Sequence, residues 1–168
     1  MDTAKWFDRE FNFSFGPEKY AGIRQRLKQG PDILKDSLRN IPERVLVQKP
    51  AGKWSVKEHT GHLSVLEPLW RIRWQDILEK KPILTTADLN NTATSEAGFN
   101  DNDILSLLER FVQERNTTLS FLDSIDPQNE SQTSLHPRLQ QPMRIIDLAL
   151  FVAEHDDHHI SVIREMIQ

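Results

Sequence analysis

Five of the six histidines fall in two short segments, EHTGH (58–62) and EHDDHH (154–159), each set in an apolar run. Imidazole nitrogens are good ligands for divalent cations, and two of them four positions apart on a helix project from one face. At about 100° of rotation per residue, His159 falls about 40° from His155, and Leu148, Phe151, Val152, Val162 and Met166 fall within about 60° of it. His155 and His159 are therefore expected on the apolar, inward face. His158 sits at the edge of that stripe. Asp157 points away from it and Asp156 to its flank, so both aspartates are expected mainly on the solvated face, with support of a ligand histidine as the alternative role for Asp156. A buried imidazole is more often satisfied by a hydrogen bond than by a metal, so this pair alone leaves both readings open.

The other cluster adds to it. His62 lies about 40° from Glu58 and Leu66 and closer still to Ser55 and Leu69, so it too looks inward, and His59 lies about 60° further round. Together His62, His155 and His159 can form a facial three-nitrogen site, and three protein ligands leave positions open for water or substrate, as catalytic sites do. Glu58, one turn before His62, is either a helix cap or a catalytic carboxylate near the site. His59 and His158 are expected as bystanders or as part of a ligand channel. His136 and Arg138, in the loop LHPRL, either fix the loop around Pro137 or recognise an anionic group of a substrate at the pocket mouth. Trp54, Trp70 and Trp74 can wall such a pocket or simply fill the core.

Four long segments must position these groups. The first is predicted to run from Pro17 to about Asn40 and to break at Gly30-Pro31. Residues 1–16 precede it as an aromatic arm carrying Trp6, Phe7, Phe11, Phe13 and Phe15. The second opens on SVKE (55–58), a capping box with Trp54 as a staple residue, and continues to about Leu78 with a kink expected at Pro68. Residues 81–100 form a long polar connection of the kind that is functional or wraps over the fold. The third helix is predicted from residues 100–102 to about Ile125, and the fourth from about Pro142 to the end of the sequence. The expectation is an all-α, up-down-up-down four-helix bundle forming one domain over residues 1–168.

The formal net charge of −4 and the lack of any long Lys/Arg run argue against a nucleic-acid surface. Without a cysteine there is no disulfide, thiolate nucleophile or Cys-based zinc site. No stretch reads as a leader or as a membrane span of ~20 apolar residues, so a cytoplasmic location without membrane contact is expected.

GKWSVKEHTGHLSVLEPLW (52–70) and AEHDDHHISVI (153–163) resemble the two signatures of the DinB-like superfamily, and LHPRLQQPMRIIDL (135–148) is similar to a subgroup of it. The resemblance runs from the FDREFNFSF arm to the last helix. It implies a four-helix bundle, often a homodimer, holding a divalent nickel, zinc, iron or manganese ion on three histidines, which at the matching positions are His62, His155 and His159. It further implies a metal-dependent enzyme acting on a small molecule, either a transferase using a low-molecular-weight thiol or a hydrolase. The competing expectation is a non-catalytic metal-binding or ligand-binding module of a stress response.

Overall fold

A computed structural model describes residues 6–168; the first five residues of the expected arm lie outside the described residues. The helices are α1 (Tyr20–Ser37), α2 (Glu43–Leu46), α3 (Val56–Leu78), α4 (Thr92–Glu96), α5 (Ile104–Asp123) and α6 (Ile145–Met166). A two-residue antiparallel pair, β1 (Ser134–Leu135) and β2 (Pro142–Met143), precedes α6. None of these helices is long and apolar enough to cross a membrane.

The helix starts follow local chemistry. Ser55 Oγ accepts from the Glu58 amide at 3.1 Å, and Glu58 Oε2 accepts from the Ser55 amide at 2.8 Å, which completes the capping box of α3. Asp103 accepts from the amides of Leu105 and Ser106 to open α5. Asp147 accepts from the Arg144 amide at the start of α6, and the Arg144 guanidinium donates to the carbonyls of Phe13 and Phe15. One arginine thus ties the aromatic arm to the last helix. Phe11, Phe13 and Phe15 pack, partly buried, against the core.

The all-α four-helix bundle expected from the sequence is the observed fold, built from α1, α3, α5 and α6. Its helix directions differ from the expected alternation. Arg26 binds Glu154 and Asp157 near one end of α1, while Arg164 donates to Ser37 near the other, so α1 and α6 run together. His59 meets His159 and Trp74 donates to the Ile145 carbonyl, so α3 opposes α6. Arg24 pairs with Asp123 while Arg115 reaches back to Leu27, so α5 opposes α1. The order is therefore up, down, down, up. The long connection 79–103 causes the difference: it returns along α3, whose 23 residues span roughly 35 Å, and seats the start of α5 beside the start of α3. There Ser55 Oγ donates to Asn100, and the Phe99 ring lies so close to Gly61 that a Cβ on this residue would stand 2.5 Å from it.

The expected break at Gly30-Pro31 does not occur; α1 passes through both residues. Proline removes the amide that would have bonded the Leu27 carbonyl, and Arg115 Nη1 donates to that carbonyl instead, at 2.8 Å. Asp156 also departs from expectation. It is 3 % exposed, not solvated, and accepts from Arg115 Nη1 at 2.6 Å. Glu67 takes the other side of the same guanidinium, with Oε1 2.5 Å from Nη2. α6 packs against both α1 and α3, so its buried arc is wider than a single apolar stripe and includes the flank on which Asp156 lies. Asp157 is exposed, as expected.

Two carboxylates share one buried guanidinium, and burial pushes the Asp156 carboxyl up to about 6. At pH 7.5 Asp156→Asn should cost under about 1 kcal/mol or stabilise the fold, since it keeps an acceptor and removes surplus charge. Arg115→Met strands both carboxylates and should cost about 3–5 kcal/mol. Urea denaturation of the two variants measures this difference; equal losses would contradict the shared-charge account.

Candidate metal centre

Between α3 and α6 the bundle encloses a cavity of about 460 Å³ lined by five histidines of the two clusters and by His136. The capping box fixes the start of α3 and hence the phase at which His62 enters this space. On α6, His155 and His159 enter from the facing side. One ligand atom from each of His62, His155 and His159 lies within 4.8 Å of the others, and all three residues are buried.

Hydrogen bonds set how these rings present themselves. His62 Nδ1 is 2.9 Å from Thr94 Oγ1, which leaves Nε2 for the cavity. His159 Nδ1 is 2.8 Å from His59 Nδ1, and its Nε2 lies 3.1 Å from His155 Nε2. Two nitrogens on one cation, each ~2.1 Å from it, stand roughly 3 Å apart, so the closest pair already has the required spacing. Partners on the far nitrogens of two ligands are what fixes ring orientation in metal sites. His155 Nδ1 is buried without a hydrogen-bond partner, edge-on to the rings of Trp6 at 5.1 Å and Trp70 at 5.4 Å. The donor set fits a divalent cation.

Burial keeps these rings neutral. It lowers His62 to about 3 and His59 to about 4, and it takes His155 and His159 well below the usual imidazole range. Neutral imidazoles offer lone pairs, and among the described residues no carboxylate joins the three-histidine group.

The remaining predicted residues separate into two sets. Glu58 is held by the Ser55 amide and by Lys49, 2.6 Å away, and is not among the residues that line the cavity. His136 and Arg138 do line it, and so do His59 and the half-buried His158. Trp54 and Trp70 are walls, with Trp54 4.6 Å from the His62 ring, whereas Trp74 is buried in the core. Sequence reasoning did not find Thr94, which reaches His62 from α4 inside the long connection, nor Arg73, one turn beyond Trp70 on the cavity side of α3. The signal for Arg73 was a charged residue in the inward stretch that also holds Trp70 and Trp74; Thr94 gave none, because its helix is five residues long.

The sequence profile of the DinB superfamily matches residues 26–163, a span that includes all three clustered histidines. The chain belongs to the DinB superfamily. Among solved structures, this DinB-superfamily chain is similar to YfiT from Bacillus subtilis, with a TM-score of 0.77 over 94 % of this chain and 91 % of that one, at 22 % identity. YfiT is described as a probable metal-dependent hydrolase with an unusual four-helix bundle topology. At that identity the likeness establishes the fold. No curated protein matches the sequence.

The depressed histidine pKa values fix a pH dependence. Unfolding returns each ring to about 6.5, so the unfolded chain binds more protons below that pH. The stability from burying neutral rings is full above about pH 6.5 and is lost as pH falls toward the folded values of about 4 and 3 at His59, His62 and His136. Metal-free protein should therefore unfold between about pH 6.5 and 4 with uptake of more than one proton. Circular dichroism with potentiometric titration reads both quantities; a fold intact at pH 3 would contradict the account.

Proposed function

We propose that this DinB-superfamily protein is a divalent-metal-dependent enzyme acting on a small molecule, with His62, His155 and His159 as ligands and a low-molecular-weight thiol as co-substrate. The observation that carries this reading is the convergence of three neutral imidazoles on a cavity of about 460 Å³, large enough for a small organic molecule. A divalent cation with three uncharged ligands supplies Lewis acidity that lowers the pKa of a water or thiol bound beside it. The chain's own groups do the rest. Thr94 and His59 hold the His62 and His159 rings in the orientation that points Nε2 inward. Trp6, Trp54, Trp70 and Phe151 exclude bulk water and give an organic electrophile an apolar bed. His158, half-buried at the cavity wall, is placed to take or return a proton. Glu58 acts through the helix start, which it caps.

Hydrolysis is the second reading, favoured by the description of YfiT. It uses the same residues, with water in place of the thiol. A metal-bound module without turnover is the non-catalytic alternative.

Purification without a histidine tag, followed by elemental analysis, should find about one metal per chain in the wild type and none in His155→Ala. Absence of metal from both, even after reconstitution with nickel, zinc, iron or manganese, would sink the reading. Thr94→Val should weaken metal affinity by roughly 10–100-fold. A panel of thiols with an aryl halide electrophile, run beside nitrophenyl esters, separates transferase from hydrolase. Activity that survives His62→Ala would rule out the proposed chemistry, and bound metal with no turnover would favour the module.

A further inference from the structure

Two arginines of this chain are almost fully buried, and they differ sharply in company. Arg115 is ion-paired with both Glu67 and Asp156. Arg73, 2 % exposed, is paired with no carboxylate among the described residues. Its Nε donates to the Thr85 carbonyl at 2.9 Å. The nearby acid Asp76 is already occupied by Lys81 Nζ at 2.8 Å and the Thr85 amide at 2.7 Å. A buried guanidinium without a counter-charge is costly unless something supplies one.

The surroundings of Arg73 repeat the deficit. His136 Nδ1 accepts from the backbone amides of Arg138 and Leu139, each at 3.2 Å, so the ring proton sits on Nε2. That Nε2 lies 3.2 Å from Arg73 Nη1. Two N–H groups confront one another with no acceptor between them. Arg138 adds a third donor: its Nη1 donates to the Phe7 carbonyl, while its Nη2 is buried without a partner. All three residues line the cavity that holds the histidine cluster.

We propose that Arg73, His136 and Arg138 form a subsite for the carboxylate of the small-molecule substrate, with Arg73 as its main contact. This rests on the reading of the cavity as a substrate site. A carboxylate has two oxygens in a plane, matched to the end of a guanidinium and to an added N–H. The rings beside these donors, Trp70 against Arg73 and Phe151 against His136, are aromatic and suit the organic remainder of a carboxylic acid better than the additional charged oxygens of a phosphate. The subsite is also correctly placed for chemistry. Arg73 Cζ lies 5.4 Å from the Trp70 ring, and the same ring lies 5.4 Å from the ligand candidate His155. One indole separates the two poles, so a substrate anchored by its carboxylate extends its other end along Trp70 toward the three imidazoles.

The test uses metal-free protein, so that it does not depend on the metal. Benzoate should quench cavity tryptophan fluorescence saturably, and neutral benzamide should bind at least about tenfold more weakly, as loss of a charge-assisted contact requires. Arg73→Gln should lose benzoate affinity by about tenfold or more, Arg138→Gln by less, and Arg73→Lys should recover part of it. Thermal unfolding of each variant shows that the fold is retained, and Arg138→Gln serves if Arg73→Gln does not fold. Benzoate binding that persists in His62→Ala, a variant expected to lose metal, supports the subsite even if the metal chemistry fails. Equal binding of benzoate and benzamide, or unchanged benzoate affinity in the arginine variants, overturns the proposal. Binding of inorganic phosphate without binding of benzoate overturns the carboxylate assignment.

Discussion

The guanidinium of Arg115 touches all four long helices. It projects from α5, donates to the Leu27 carbonyl of α1, and pairs with Glu67 of α3 and Asp156 of α6. No apolar contact could do this, because dispersion fixes distance without fixing direction, whereas a planar fork fixes both. The polar level around it also divides the apolar core. Leu34, Leu63, Phe111 and Ile160 belong to one cluster, and Leu27, Trp70, Leu122 and Val152 to the other. On α3, α5 and α6 the charged residue, Glu67, Arg115 or Asp156, lies between the two sets.

α6 therefore answers two demands with adjacent residues. Asp156 faces the Arg115 clamp, while His155 faces the cavity, about 100° away. A rotation of the helix that improved one would spoil the other. The ion network on the neighbouring flank of the same helix turn thereby fixes the phase at which α6 presents His155 and His159, and Glu67 ties α3, which carries His62, to the same guanidinium. Gly30 belongs to this arrangement: a Cβ there would stand 3.3 Å from the Asp156 carboxylate.

Local rules made much of this legible. The capping box of α3 is a four-residue pattern, and the inward phase of His62, His155 and His159 follows from helical pitch alone. What the sequence hid was long-range. Asp156 reads as solvated until Arg115, 41 positions earlier, is known to lie beside it. Pro31 reads as a helix break until the same arginine takes the carbonyl that proline frees. Helix direction depended on where residues 79–103 travel, and no periodicity in that stretch records a path. Thr94 stayed hidden for the same reason: its contact with His62 is made by the route of the connection, not by a pattern in it.

The cavity draws its walls from the whole length of the chain. Trp6 comes from the arm, His62 from α3, His136 from the loop before α6, and His155 and His159 from α6 itself. The arm is fastened by Arg144, at the entrance to that last helix. During synthesis, then, Phe13 cannot find its place until Arg144, 131 positions later, has emerged. Two of the three clustered imidazoles emerge later than Arg144, further along α6. Closure of the pocket therefore waits on α6, and an ion held by all three imidazoles would be taken up by a bundle that has already assembled.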